Sequence, residues 1–191
     1  QPGFFDVKTY TGTGSTQTVS HDLGCKPGLV IVKRLDSSSD WGTYWRDGTN
    51  DSEIGVGYLN KTDNFKLSGI SFTANSTSVT IYSSSFSFDA TASGGTFVVY
   101  FFAMGGTDSD AEVFGEDEDE SIIKTGTYTG NGSSTGPVID LGWEPQWIII
   151  KKYNDFTNWY MYDSMRGIVT GGNDALLYAN GSTAENSVEQ I

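Results

Sequence analysis

The single histidine, His21, is the first residue of this chain that could do acid–base chemistry. A catalytic triad would place it beside a nucleophile, and a zinc site would need further ligands close to it. A second, similar segment of the chain has Ile139 at the equivalent position, so the histidine is not repeated. We therefore expect His21 to have a loop or packing role rather than a catalytic one.

A run of five consecutive acidic residues, Glu116–Glu120, could hold a divalent cation. Calcium loops, however, alternate oxygen ligands with other residues and include a glycine for the bend. Consecutive carboxylates repel one another and keep a segment extended and solvated. The sequence therefore predicts a solvated linker here, with neither a metal nor a cofactor bound.

Four aspartates flank an aromatic segment, and two of them could in principle form the carboxylate pair of a glycosidase. These residues are Asp36, Asp40, Asp47 and Asp51. Their equivalents in the similar segment are Asn154, Asn158, Met165 and Val169. Because no pair of acids is repeated, we expect loop and turn residues, and we predict that the chain is not an enzyme.

Tryptophans are the remaining candidates, because indole rings stack on sugars. Trp41 and Trp159 occupy equivalent positions, which predicts that both are buried at equivalent places. Trp143 and Trp147 replace Cys25 and Leu29. Trp143 and Trp147 are therefore the candidates for contacts with a glycan or with a protein partner.

These residues belong to a module that occurs twice in the chain. Tyr10 recurs as Tyr128, which sets an offset of 118 positions, and roughly 14 of about 36 aligned residues are identical. The shared residues include Tyr10-Thr11-Gly12 with Tyr128-Thr129-Gly130, Asp22-Leu23-Gly24 with Asp140-Leu141-Gly142, and the pairs Pro27/Pro145, Ile31/Ile149, Lys33/Lys151, Trp41/Trp159 and Tyr44/Tyr162. Duplication of this kind builds strings of binding or structural modules more often than it builds one active site.

The composition is typical of an all-β protein. Aromatic residues make up 14% of the chain, 24 residues are glycine, and no long stretch has helical periodicity. Phe5–Tyr10 alternates apolar and polar residues, as a strand does. Leu29–Val32 and Thr96–Met104 are continuous apolar runs that indicate central strands, the former covered on both faces. Short strands separated by glycine-rich turns favour a β-sandwich or jelly roll.

The charge balance excludes several classes of partner. The formal net charge is −13, from 24 acidic and 11 basic side chains, which disfavours nucleic acid as a partner. No segment is apolar over the length of a membrane helix, so we expect no membrane insertion. Cys25 is the only cysteine and cannot form an intrachain disulfide.

The repeat predicts two tandem β-sandwich or jelly-roll-like modules joined by an acidic linker. The first module covers residues 1–104, the linker residues 105–120, and the second module residues 121–191. In the second module, Ile122–Thr127 replaces the first strand, Trp147–Lys152 replaces Leu29–Arg34, and Trp159–Tyr162 replaces Trp41–Tyr44. Leu177–Asn180 matches Gly57–Asn60 with a slip of two residues.

The second module is incomplete, because nothing in it corresponds to Thr96–Met104. A sandwich that lacks a central strand exposes an apolar groove and unpaired backbone groups. Two solutions are open. Either the polypeptide continues beyond Ile191 into segments that close the sheet, which is the simpler expectation, or another chain donates the strand.

The order of these motifs resembles a module of virion proteins from tailed phages, especially marine ones. That module occurs in predicted tail-fibre, tail-associated and head-decorating proteins, and its function is otherwise unknown. The second copy carries Tyr128–Gly132, Leu141-Gly142 with Pro145, Lys151, Trp159 with Tyr162, Arg166-Gly167, and Leu177–Asn180 with Ala184 and Glu185. The first copy carries the closing strand at Gly94–Val98, but it has Arg46-Asp47-Gly48 where Arg-Gly is expected.

The resemblance implies a structural role in a virion and identifies no catalytic residues. We expect a segment of a tail fibre or tail-associated adhesion protein at the surface of the phage particle, contributing to assembly or host attachment. Other virion proteins, a homo-oligomer such as a trimer, and a host surface glycan are the expected partners. A capsid decoration protein or head fibre is one alternative. A carbohydrate-binding module of a secreted or virion-borne depolymerase is another.

Overall fold

The chain is an all-β protein, and every strand pair among its described residues is antiparallel. The computed structural model describes residues 3–46, 54–65, 73–82, 90–103, 122–133, 136–168 and 173–189, and no helix occurs among them. The chain divides into two compact units. The first comprises Gln1–Tyr58 with Phe65–Gly126, and the second comprises Leu59–Asn64 with Thr127–Ile191.

The first unit contains a five-stranded and a three-stranded sheet. Its strands are β1 (Phe5–Thr11), β2 (Gln17–Ser20), β3 (Pro27–Arg34), β4 (Trp41–Arg46), β5 (Ile54–Tyr58), β6 (Thr73–Ala74), β7 (Ser78–Ile81) and β8 (Thr96–Ala103). The larger sheet has the order β1-β8-β3-β4-β5, and the smaller has the order β2-β7-β6. The apolar runs predicted as central strands are β3 and β8, and each pairs with a strand on both sides.

Side chains of both sheets form one apolar core. The larger sheet contributes Val30, Val32 and Phe101, and the smaller contributes Val79 and Ile81, all of them fully buried. Alternation along each strand explains which side chains are buried, because every second side chain of a strand points to the same face. The opposite face of β3 is only half-covered, so the prediction that β3 is covered on both faces is wrong.

The described part of the second unit forms one four-stranded sheet. Its strands are β9 (Trp147–Lys151), β10 (Trp159–Asp163), β11 (Asp174–Tyr178) and β12 (Asn186–Glu189). They lie in the order β12-β11-β10-β9, so each strand pairs with its neighbour in sequence. Trp159, Tyr162 and Leu176 are its largest buried side chains.

Three strands of the first unit recur in the second with the same register. Lys33 lies opposite Trp41 in β3 and β4, and Lys151 lies opposite Trp159 in β9 and β10. All five residue pairs of the β3–β4 ladder recur in this way at the offset of 118. The two-residue slip of the third strand also appears. β5 ends at Tyr58 and β11 ends at Tyr178, which is two positions beyond the offset of 118. The sequence repeat is therefore a structural repeat over these strands.

The first strand predicted for the second module does not form. Ile122–Thr127 is irregular, and its first five residues lie in the first unit. There Ile123 packs against the core, and the Thr125 hydroxyl donates to the carbonyl oxygen of Arg46 at 3.0 Å. The reason is the absence of a partner. In the first unit β1 pairs only with β8, and the described part of the second unit has no counterpart of β8.

The predicted module boundaries at residues 104 and 121, and the linker between them, lie outside the described residues or at their margin. They stay predictions. The acidic run Glu116–Glu120 also lies outside the described residues.

Candidate functional site

A row of aromatic rings crosses the outer face of the five-stranded sheet. Phe5 of β1 stacks on Tyr100 of β8, with ring centroids 6.4 Å apart and planes inclined by 22°. Tyr100 in turn stacks on Trp41 of β4 at 6.3 Å and 23°. All three side chains are half-buried. We call Phe5, Tyr100 and Trp41 the aromatic row.

Strand alternation places these rings away from the core. In β8, Phe97, Val99 and Phe101 are fully buried, whereas Tyr100 between them is only half-buried. In β4, Tyr44 faces the core, and Trp41, an odd number of positions away, faces the other side. Roughly parallel rings on the flat face of a sheet are a surface on which planar or ring-shaped groups can stack.

Charged and polar side chains border one end of the aromatic row. Trp41 and Tyr100 line an open depression of about 580 Å³, together with Lys33, Arg34 and Asp36. The Arg34 guanidinium donates to Asp36 through Nε at 2.7 Å and through Nη2 at 3.3 Å. This pairing holds the pKa of the Asp36 carboxyl below its usual value. Aromatic rings beside a few oriented polar groups are what a sugar ring requires for binding.

A lysine closes the loop after β3, and this arrangement is repeated. Lys33 Nζ donates to the carbonyl oxygen of Ser39 at 2.5 Å and to its hydroxyl at 3.2 Å. It also lies 5.9 Å from the centroid of the Trp41 ring, a cation–π geometry. In the second unit Lys151 Nζ donates to Thr157 Oγ1, the residue equivalent to Ser39, at 3.2 Å. Both lysines therefore fix the hairpin loop that follows their strand.

Lys151 is surrounded by more hydrogen-bond acceptors than Lys33. Lys151 Nζ also donates to the carbonyl oxygens of Lys152 at 3.0 Å, Asp155 at 3.1 Å and Thr62 at 3.3 Å. Burial lowers the pKa of Lys151, and the charges of Asp155 and Asp63 oppose that shift. Because its donors are used within the second unit, Lys151 is a structural residue rather than a ligand-binding one.

His21 lies in the interior of the first unit. It is 3% exposed, and its ring centroid lies 4.9 Å from that of Phe101. Its Nδ1 accepts the backbone N–H of Leu23 at 3.4 Å. Burial lowers the pKa of His21, while the Asn75 carbonyl and the carboxylates of Asp6 and Asp22 act in the opposite direction. The ring is packed in the interior and has no access to a substrate in solution.

The four tryptophans singled out from the sequence occupy different environments. Trp159 is 6% exposed and belongs to the interior of the second unit, as predicted. Trp41 is only half-buried, so the prediction that both tryptophans are buried at equivalent places is wrong for it. Trp143 is half-buried in the turn before β9, and Trp147 at the start of β9 is 50% exposed. Trp143 and Trp147 belong to the second unit, whereas the aromatic row belongs to the first.

The carboxylates do not assemble into a site among the described residues. Asp36 is paired with Arg34, and Asp47 and Asp51 lie outside the described part of the chain. No group of three or more His, Cys, Asp or Glu side chains in the described ranges could hold a metal ion.

Cys25 is buried in the core of the first unit. The described ranges also contain no helix long and apolar enough to cross a membrane.

Sequence patterns did not identify the aromatic row. The apolar run of β8 conceals its alternation, because both faces carry large residues. The signal that could have found the row is the polarity of its ring substituents. Tyr100 and Trp41 carry a hydroxyl and an indole N–H, whereas the core positions of β8 are Phe, Val and Ala.

The fold and this surface define an all-β protein built from antiparallel sheets, with an internally repeated three-stranded element. A family model described as "Domain of unknown function (DUF7483)" matches residues 1–191, and the chain belongs to this family. Neither a curated protein nor a solved structure matches the chain.

Proposed function

We propose that this chain is a structural part of a tailed-phage particle, namely a segment of a tail fibre or of a tail-associated adhesion protein. Its role is to contribute to assembly or host attachment without catalysing a reaction. The observation that carries the proposal is the repeat of β3, β4 and β5 as β9, β10 and β11 with one register. Tandem β modules of this kind suit an extended fibre, and the motif order resembles that of phage virion modules.

The proposal includes assembly with other virion proteins and self-association of the chain. Fibres and decorating proteins repeat around a symmetry axis, which multiplies weak contacts with a host surface. A trimer would have three times the 20.7 kDa mass of one chain. Light scattering during size-exclusion chromatography measures this mass directly. A monomer at all concentrations up to the millimolar range would contradict self-association of this part of the protein.

Location in the particle is tested by immunogold electron microscopy. Antibodies raised against the purified chain are applied to virions of the phage that encodes it. We expect gold particles along the tail or its fibres. Label on the capsid would instead support the alternative of a head fibre or capsid decoration protein. Absence of label from particles whose other structural proteins are detected would refute a virion role.

A carbohydrate-binding module of a secreted or virion-borne depolymerase is the second candidate, and the aromatic row favours it. Sugar rings stack on aromatic faces, and neighbouring polar groups fix their orientation. Phe5, Tyr100 and Trp41 supply the faces, and the Arg34–Asp36 pair at the depression supplies polar groups. A host surface glycan would be the ligand both for this module and for a fibre tip.

Binding to a panel of soluble polysaccharides from bacterial surfaces separates glycan recognition from a purely structural role. We expect Trp41→Leu and Tyr100→Leu each to weaken retention about two- to tenfold, because the loss of stacking is worth roughly 0.5–1.5 kcal/mol per ring. The leucine keeps apolar volume, and far-UV circular dichroism verifies folding. Trp143→Leu and Trp147→Leu are matched controls that test the tryptophans first proposed as glycan contacts. Equal losses in all four variants would contradict the aromatic row as the site.

A further inference from the structure

The described part of the second unit repeats β3, β4 and β5 but not the strand that lies beside β3. In the first unit β8 fills that position and pairs antiparallel with β3 from Pro27 opposite Ala103 to Arg34 opposite Phe97. β9 is the counterpart of β3, and in the described part of the second unit it pairs with β10 alone. One side of β9 is therefore a sheet edge, whose backbone N–H and C=O groups can accept another strand.

The burial of equivalent residues differs between the two strands. Val30 and Val32 of β3 are fully buried, whereas their counterparts Ile148 and Ile150 of β9 are only half-buried. Trp147, at the start of β9, is 50% exposed. Proteins usually protect edge strands with charges, proline or a bulge, but β9 has four large apolar residues before Lys151. Such an edge is suited to receiving a partner strand.

In the first unit, Tyr10 and Gly12 contact β8 and the turn before it. Their counterparts in the second unit, Tyr128 and Gly130, are exposed. The ring of Tyr10 stacks on Phe97 at 4.9 Å and 9°, and its hydroxyl donates to the Ala90 carbonyl at 2.8 Å. Its counterpart Tyr128 is 47% exposed. Gly12 N–H donates to the Gly95 carbonyl at 2.8 Å. A Cβ atom on its counterpart Gly130 would meet no atom within 4 Å.

We propose that the open edge of β9 binds an extended peptide segment with the residue pattern of β8, antiparallel to β9. The register follows from the β3–β8 ladder. The residue in the position of Tyr100 lies opposite Ile149, and the residue in the position of Phe102 lies opposite Trp147. Main-chain hydrogen bonds supply the affinity of such strand addition, and alternate apolar side chains supply the specificity.

The bound segment is the closing strand of another module of the same kind. β8 of this chain cannot serve, because its two edges already pair with β1 and β3. Thr96–Ala103 nevertheless defines the chemistry of the ligand, with aromatic and β-branched residues that match an edge made of tryptophan and isoleucine. This binding site is independent of where in a virion the protein lies.

Peptide binding to the full chain tests the edge directly. The probe is a synthetic peptide with the sequence Thr96–Ala103, flanked by lysines for solubility, and hydrogen–deuterium exchange is followed residue by residue. We expect saturable binding and at least about tenfold slower exchange of edge amides within Trp147–Lys151. The same peptide with alternate backbone amides methylated has one hydrogen-bonding edge blocked, and we expect it not to bind. Unchanged exchange in β9 at saturating peptide would overturn the proposal.

Disulfide trapping tests the register. Ile149→Cys should cross-link to a peptide that carries cysteine at the position of Tyr100, and not to one with cysteine at the neighbouring Val99 position. The wild-type chain, with Cys25 buried, is the control for background reaction. Equal trapping by both peptides, or a dimer joined through two β9 strands that excludes the peptide, would also overturn the proposal. The exchange experiment on the wild-type chain decides the outcome if the cysteine variant does not fold.

Discussion

Gly12 and Gly130 occupy the same position of the repeated Tyr-Thr-Gly turn, yet their surroundings differ completely. A Cβ atom on Gly12 would lie 2.2 Å from the carbonyl oxygen of Ala92, whereas one on Gly130 would meet no atom within 4 Å. The segment that approaches Gly12 leads into β8. The described residues of the second unit include no such segment, which explains why the same sequence is enclosed in one copy and open in the other.

The first prediction follows from this pair of glycines. Gly12→Ala should destabilise the first unit by about 1–3 kcal/mol, because two backbone segments must separate to admit a methyl group. Gly130→Ala should change the free energy of unfolding by less than about 0.5 kcal/mol. Urea unfolding of the two variants, together with hydrogen–deuterium exchange in β1 and β8, measures the change in the free energy of unfolding. Equal destabilisation by both substitutions would show that the turn, rather than its neighbour, requires glycine.

The second prediction concerns the equivalent tryptophans. Trp159→Ala should destabilise the second unit by about 3–5 kcal/mol, since its indole is 6% exposed and the truncation leaves a cavity. Trp41→Ala should cost the first unit clearly less, because Trp41 is half-buried on the outer face. Segment-resolved exchange under mild denaturant measures both free energies. A loss from Trp41→Ala as large as that from Trp159→Ala would contradict the assignment of Trp41 to the surface.

The third prediction compares two adjacent lysines. Lys151→Met should destabilise the β9–β10 hairpin by about 1–2 kcal/mol, because the ammonium group donates to three backbone carbonyls and to Thr157. Lys152→Met removes only an exposed ion pair with Asp155 and should leave the free energy of unfolding nearly unchanged. Chemical denaturation of both variants provides the measurement. An effect of Lys152→Met equal to that of Lys151→Met would indicate general charge removal rather than loop closure.

The strands shared by the two copies were predictable from the sequence. Alternation and apolar runs identified β1, β3 and β8, and the repeat fixed β9 and β10 by their likeness to β3 and β4. The two-residue slip found between Gly57–Asn60 and Leu177–Asn180 reappears as the offset between β5 and β11. These features depend on residues close together in the sequence, which pattern and propensity describe well.

Features that depend on distant partners were not predictable in the same way. Ile122–Thr127 has the pattern of a strand, but a strand forms only where another strand supplies hydrogen bonds. The aromatic row joins β1, β8 and β4, so it requires the strand order rather than the pattern of any one strand. Loop closure by Lys33 and Lys151 likewise depends on how each hairpin loop folds over its strand.

The fourth prediction is a pH dependence that arises from His21. Burial lowers its pKa in the folded state below the ordinary value of 6.5, so the unfolded chain binds more protons near that pH. The contribution of His21 to the stability of the first unit is therefore fully present above about pH 6.5. This contribution decreases as the pH falls from there toward the lowered pKa. The slope from this residue cannot exceed one proton, which is about 1.4 kcal/mol per pH unit.

The measurement is the free energy of unfolding between pH 5 and 8 for the wild-type chain and for His21→Gln. The glutamine keeps a polar side chain of similar size and has no titration in this range, so the slope just below pH 6.5 should disappear from the variant. A general loss of stability from the substitution would shift the whole curve without changing its shape, and the comparison of slopes is unaffected by it. The acidic side chains titrate mainly at lower pH and are common to both proteins. If both chains show the same slope between pH 5 and 6.5, the buried ring of His21 is not the source of the pH dependence, and its pKa in the fold is close to the ordinary value.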